Sequence, residues 1–135
     1  AARAVLDAIG PLDEHFFLYF EEVAFCARAR RAGFPCWQVP AARVLHLEGA
    51  ATGVTVVGKR RPSYWFESRR RYFVKHHGVL GLAAADFMWG LGRATLLARR
   101  LLGLGGARGM KEEPASFARD LLVGDLRALA SGALW

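Results

Sequence analysis

GPLDEHFFLYFEEVAFCARARRAG, residues 10–33, joins an acidic and aromatic turn directly to a short helix. Gly10 and Pro11 open the turn, Asp13 and Glu14 stand in it, and Phe16, Phe17, Tyr19 and Phe20 follow before Glu21 and Glu22 begin a run of good helix formers. Arg28, Arg30 and Arg31 close that run and Gly33 stops it. Acid in the first turn, base in the last and glycine just beyond is the order a helix macrodipole favours. Two carboxylates therefore stand at the positive end of a helix beside an aromatic wall. A carboxylate so placed is a candidate proton acceptor, although first-turn glutamates also serve helix stability alone.

Downstream of Gly33, residues 34–39 are rich in β-formers and end at Pro40, and residues 43–47 form a second short apolar run. Both read as strands. His46 falls at the end of the second, and no other histidine, cysteine or aspartate lies at ligand spacing nearby, so in isolation it reads as a structural residue. Cys26 and Cys36 have neither metal-ligand nor redox spacing and read as buried small hydrophobes in a reducing compartment. Upstream, residues 2–14 read as the end of a helix entering a turn. The expected architecture is α/β, dominated by helices with few short strands.

The chain has 135 residues, 53% of them hydrophobic, which suffices for one modest core. A net charge of +7 calls for an anionic partner, and charge sign alone does not choose among nucleotide phosphate, lipid headgroup and nucleic acid. Much of that charge falls in KRRPSYWFESRRRYFV, residues 59–74, where Pro62 can open a helix and aromatics recur at helical spacing. Such a segment could contact nucleic-acid phosphates through Arg69, Arg70 and Arg71 and stack bases on Tyr72 or Phe73. It could equally be a solvated basic face over a packed aromatic side.

Residues 79–104 are the most apolar part of the chain, yet Asp86, Arg93, Arg99 and Arg100 interrupt them, which argues against a membrane span. Asp86, Arg93 and Arg100 recur every seven residues, so the segment reads as an amphipathic helix with Phe87, Met88, Leu91, Leu96 and Leu101 on its apolar side. Packing on the rest of the protein is the commonest use of such a helix; it could also pair with a second copy or lie in a membrane interface, a reading that Trp89 and the cationic end support. A glycine-rich linker then leads to a final helix over residues 112–129, begun by Pro114. The organisation expected is residues 1–78 as one part and 79–135 as a helical tail.

The pattern G-x-x-D-E-x-F-F-x-Y-x-E-[acid], then Arg28 and Gly33, then the extended V-P-x-A-x-V-x-H ending at His46, resembles the C-terminal part of the catalytic domain of family 2 glycosyltransferases. The bacterial rhamnosyltransferase-like members look nearest. The resemblance is dense over residues 10–46 and continues more loosely through SRRRYFVKHHG, residues 68–78. The family usually carries Glu-Asp where this chain has Glu21 and Glu22, and a further Asp where it has Ala24.

The resemblance implies the acceptor side of a GT-A-type domain, with the nucleotide-binding half and its Asp-x-Asp motif expected to precede these residues and the chain inactive alone. The reaction implied is inverting transfer from a nucleoside-diphosphate sugar to a hydroxyl on a glycan or polyprenyl-linked acceptor, as in cell-wall or polysaccharide biosynthesis. By position Glu22 would be the general base and Glu21 would orient the site or bind the acceptor. Asp13 and Glu14 would belong to the acceptor-binding or structural motif, and His46 would help hold Mg²⁺ or Mn²⁺. Arg69, Arg70, Arg71 and Lys75 become candidates for neutralising a diphosphate, and nucleic acid is not an expected partner. The implied setting is cytoplasmic, or peripheral on the inner face of the plasma membrane. A non-catalytic basic module that docks on a membrane or polyanion is the alternative.

Overall fold

The structure, a computed structural model, describes residues 3–45, 59–104, 114 and 116–132. Four helices follow one another in the chain: α1 (Arg3–Ile9), α2 (Glu21–Arg31), α3 (Ser63–Leu101) and α4 (Phe117–Ser131). The α/β expectation is overturned, because the described residues contain helices and no strand. Residues 34–39 and 42–45 are irregular chain, with a turn between them in which the Ala42 N–H donates to the Val39 carbonyl at 3.0 Å. β-Formers make a strand only where a neighbouring strand completes the hydrogen-bond ladder. Among the described residues none does, and Trp37 is 82% exposed.

Helix α2 begins and ends where its sequence indicates. At its C-terminus Gly33 is left-handed, at φ 85°, the Gly33 N–H donates to the Arg30 carbonyl at 3.1 Å, and the Phe34 N–H reaches back to Ala29 at 2.9 Å. This double bond closes two carbonyls that the helix end would otherwise leave open. The final helix starts later than the sequence indicates, at Phe117, with Ser116 in the left-handed region as its cap.

Helix α3 is the frame of the molecule, and it is bent back on itself. Gly78 sits at φ 70°, ψ −179°, outside helical geometry and in a region open essentially to glycine. Arg69 and Asp86 are 17 positions apart, ~25 Å along a straight helix, yet their side chains meet at 2.6 Å. Trp65 before the bend and Trp89 after it likewise touch the same Phe117 ring of α4, at centroid separations of 5.5 and 5.8 Å. The first arm of α3, the second arm and α4 therefore enclose one small core, with Leu82 at 0% exposure and Leu121 at 1%. Gly81 makes the tight crossing, since a Cβ there would collide with the Cβ of His77. The boundary at residue 78 is thus a bend inside α3, and ion pairs cross it.

Those ion pairs occupy the core's polar centre. Arg69, buried, donates to Asp86 of the second arm and, at 2.9 Å, to Asp125 of α4, while Arg70 donates to the other oxygen of Asp125 at 2.8 Å. Burial pushes the Asp125 carboxyl above its ordinary range, with the two guanidiniums pulling it back. The second arm's apolar side points outward: Leu80 is 86% exposed, Phe87 70% and Leu101 88%. Leu82 and the polar Asp86 of this arm pack inward, and Trp89, half-buried, lies against Phe117 of α4.

Candidate active site

The turn before α2 is built by ordered hydrogen bonds. Gly10 closes α1 in the left-handed region, and Arg28 of α2 reaches back to donate to the carbonyls of Ile9 at 2.7 Å and Pro11 at 2.5 Å. Asp13 accepts from the backbone N–H of His15 at 3.1 Å, from the His15 ring at 2.9 Å and from Lys75 Nζ of α3 at 2.5 Å. Chiefly through the Lys75 bond, its carboxyl is held well below the usual carboxylate range. Asp13 thus ties the turn to α3, whereas Glu14 is exposed.

Aromatic packing fixes the rest of the turn. Phe16 is buried, Ser68 of α3 donates to the Leu18 carbonyl at 2.9 Å, Tyr19 stacks on Tyr64, and Phe20 lies against Trp65 and Tyr72 at 6.0 and 5.6 Å. Under this grip two successive bulky residues, Tyr19 at φ 70° and Phe20 at φ 67°, take the left-handed conformation. Each such residue costs on the order of 1–3 kcal/mol, and strain of this kind concentrates at functional sites. The strained pair delivers Glu21 and Glu22 to the start of α2, where Phe20 offers no side-chain cap, so the two carboxylates stand beside open backbone N–H groups.

The adjacent glutamates differ in surroundings. Glu22 is exposed; Glu21 is half-buried, and its Oε2 is shielded from water with no hydrogen-bond partner. Ala24, where the resembled family has an aspartate, is 1% exposed and packs in the interior of this turn. A carboxylate there would be buried, which is costly unless it is paired.

The four basic diphosphate candidates divide. Arg69 and Arg70 are taken up by Asp86 and Asp125, and Lys75 by Asp13. Arg71 lines a recess of 500 Å³ together with Asp13, His15 and Lys75. His46 lies outside the described residues, and among the described residues no three His, Cys, Asp or Glu side chains gather to hold a metal ion. Cys26 and Cys36 are both exposed, contrary to the expectation of burial. The Cys36 thiol points at the Cys26 carbonyl at 3.8 Å, and slight desolvation at the helix surface, with Cys36 beside it, pushes the Cys26 thiol above its ordinary range. The roles of Ser68 and Arg28 as holders of the turn had no signal in local sequence, because each acts across 17 or more positions.

Taken by fold and site, this is a helical segment that braces an acidic, strained, aromatic turn. A stretch of 45 residues, 33% of the chain, is 40% identical to the low-salt glycan biosynthesis hexosyltransferase Agl10 of Haloferax volcanii. The stretch covers 15% of that relative's length. No family model and no solved structure matches the chain. The chain therefore carries a segment similar to part of a hexosyltransferase, and no described helix is long and apolar enough to cross a membrane.

Proposed function

We propose that residues 10–33 form the acceptor side of a sugar-transferring site, with Glu22 as the general base. One observation carries this reading: a strained pair of aromatics holds an exposed carboxylate, Glu22, at an uncapped helix start beside a shielded one, Glu21. The acceptor hydroxyl oxygen attacks the anomeric carbon of a nucleoside-diphosphate sugar and gives its proton to Glu22. The bond from that carbon to the diphosphate oxygen breaks with its electron pair, and the nucleoside diphosphate leaves from the opposite face, which inverts the centre. Glu21 orients Glu22 or the acceptor, and Arg71 is the basic group of its cluster open to an anionic substrate.

His46 would help hold Mg²⁺ or Mn²⁺, and such a cation would neutralise the charge that develops on the departing diphosphate. Glu22→Gln, in a protein that unites this chain with a nucleotide-binding half, should lower kcat by about 10²-fold or more with little change in donor binding. Near-normal turnover of Glu22→Gln alongside a loss in Glu21→Gln would move the base by one residue. In the same assay His46→Ala should raise the metal concentration needed for half-maximal rate, and an unchanged titration removes His46 from the metal.

A second reading is supported by the exposed apolar side of α3 and the +7 charge: attachment to an anionic membrane surface through the second arm.

A further inference from the structure

We propose that the cleft between the start of α3 and α4 binds a phosphate ester. It shares no residue with Glu21, Glu22 or the recess at Asp13, and it does not rest on the sugar-transfer reading. The cleft has a volume of 590 Å³, and five arginines line it, Arg60, Arg61, Arg70, Arg119 and Arg127, against the two carboxylates of Glu67 and Asp120. Arg60 is held by Asp120 in a two-bond fork at 2.6 Å, and Arg70 by Asp125. Arg61 and Arg127 make no salt bridge to a carboxylate among the described residues, and Arg119 acts on its neighbour Asp120 through charge alone.

Arg61 shows that the cleft is built and not merely basic. Its guanidinium lies 5.0 Å from the Trp65 ring centre and 6.0 Å from that of Phe117, which fixes it in place, and its Nε is buried with no acceptor. Gly124 adds a second sign. A glycine inside α4 costs ~1 kcal/mol relative to alanine, and a Cβ at this position would come within 3.2 Å of an Arg70 guanidinium nitrogen at the cleft wall. The uncapped start of α3 also opens here, at Ser63, and adds backbone donors.

The ligand class follows from charge. Five arginines and two carboxylates leave the lining at a formal +3. A single carboxylate would neutralise one of these charges, whereas a phosphate monoester or diphosphate brings about two or more and accepts forked bonds from several guanidiniums at once.

The test is calorimetry on the full chain with two probes, inorganic pyrophosphate and phosphatidylcholine vesicles with or without phosphatidic acid. Pyrophosphate should bind saturably, and the double variant Arg119→Glu, Arg127→Glu should weaken it by about tenfold or more. Both residues are exposed, so the fold should survive, and circular dichroism checks that it does. The control variant Arg30→Glu, Arg43→Glu makes the same change in net charge at exposed positions outside the cleft and the second arm, and should leave binding unchanged. Pyrophosphate binding without cleft-dependent retention on phosphatidic acid assigns a soluble phosphate ester. Retention on those vesicles that is lost in the cleft variant assigns a lipid headgroup. No saturable binding of either probe, or an equal loss in the two double variants, overturns the proposal.

Discussion

His76 shows how one residue couples the turn's helix to the frame. Its Nδ1 lies 2.8 Å from Arg31 Nη1, and Arg31 also donates to the His76 carbonyl at 3.0 Å, which docks the end of α2 on the first arm of α3. Burial first, and then the cations Arg31 and Lys75 with His77 and Arg28 beyond them, hold the His76 ring below its ordinary range. The unfolded chain therefore takes up a proton near pH 6.5 while the folded chain still resists it. Over that interval the unfolded state binds more protons, so stability falls as pH falls from about 6.5 through the lower folded value. Urea midpoints should decline across that window, and His76→Asn should flatten the decline. An unchanged slope in the variant would remove His76 as its source. Asp13, held low by Lys75, adds a separate loss that begins only below its ordinary range, as its own partner contacts are protonated away.

At the scale of the element, α3 is two helices made to serve as one by a glycine. An alanine at Gly78 would have to hold φ 70° with ψ −179°, where a Cβ is strained, and the strain is relieved only if the two arms straighten. Straightening carries Asp86 away from Arg69 and Trp89 away from Phe117. Gly78→Ala should therefore cost on the order of 1–3 kcal/mol, seen as a lower Tm in thermal unfolding with the loss of tryptophan environment in near-ultraviolet circular dichroism. A variant as stable as the parent would mean that the bend does not depend on glycine.

At the scale of the whole molecule, a buried ion cluster holds α4 to both arms of α3. Asp125→Asn keeps the volume but leaves Arg69 and Arg70 short of a counter-charge, and removing one partner of a buried pair typically costs about 3–5 kcal/mol. Urea unfolding of Asp125→Asn measures it, and a change below about 1 kcal/mol would mean that water or Asp86 replaces the lost charge. The same cluster dictates how membrane attachment has to be tested. Removing residues 79 onward would strip Asp86 and Asp125 from Arg69 and unbalance the core, so loss of binding would carry no meaning. Phe87→Ser with Leu91→Ser and Leu101→Ser alters exposed positions alone. In flotation with anionic vesicles the triple variant should stay in the soluble fraction while the parent floats, and equal recovery would rule out that face.

Local sequence was enough for the features whose causes are local. The acid-to-base order and Gly33 set the bounds of α2, and Pro62 marks the start of α3. The acidic aromatic turn was legible as a candidate site because its residues are contiguous. Short apolar runs at residues 34–39 and 43–47 were not decisive, since a strand exists only with a partner and the partner is a non-local matter. Seven-residue spacing of Asp86, Arg93 and Arg100 identified an amphipathic helix but not which side would be covered. Tertiary structure decided the covered side: Leu82 and Asp86, which pairs with Arg69, face the core, and Phe87 and Leu101 lie outside. The arginine cleft was illegible for the same reason: Arg60 and Arg61 meet Arg119 and Arg127 across about half the chain's length, and only the bend at Gly78 and the docking of α4 bring them to one wall.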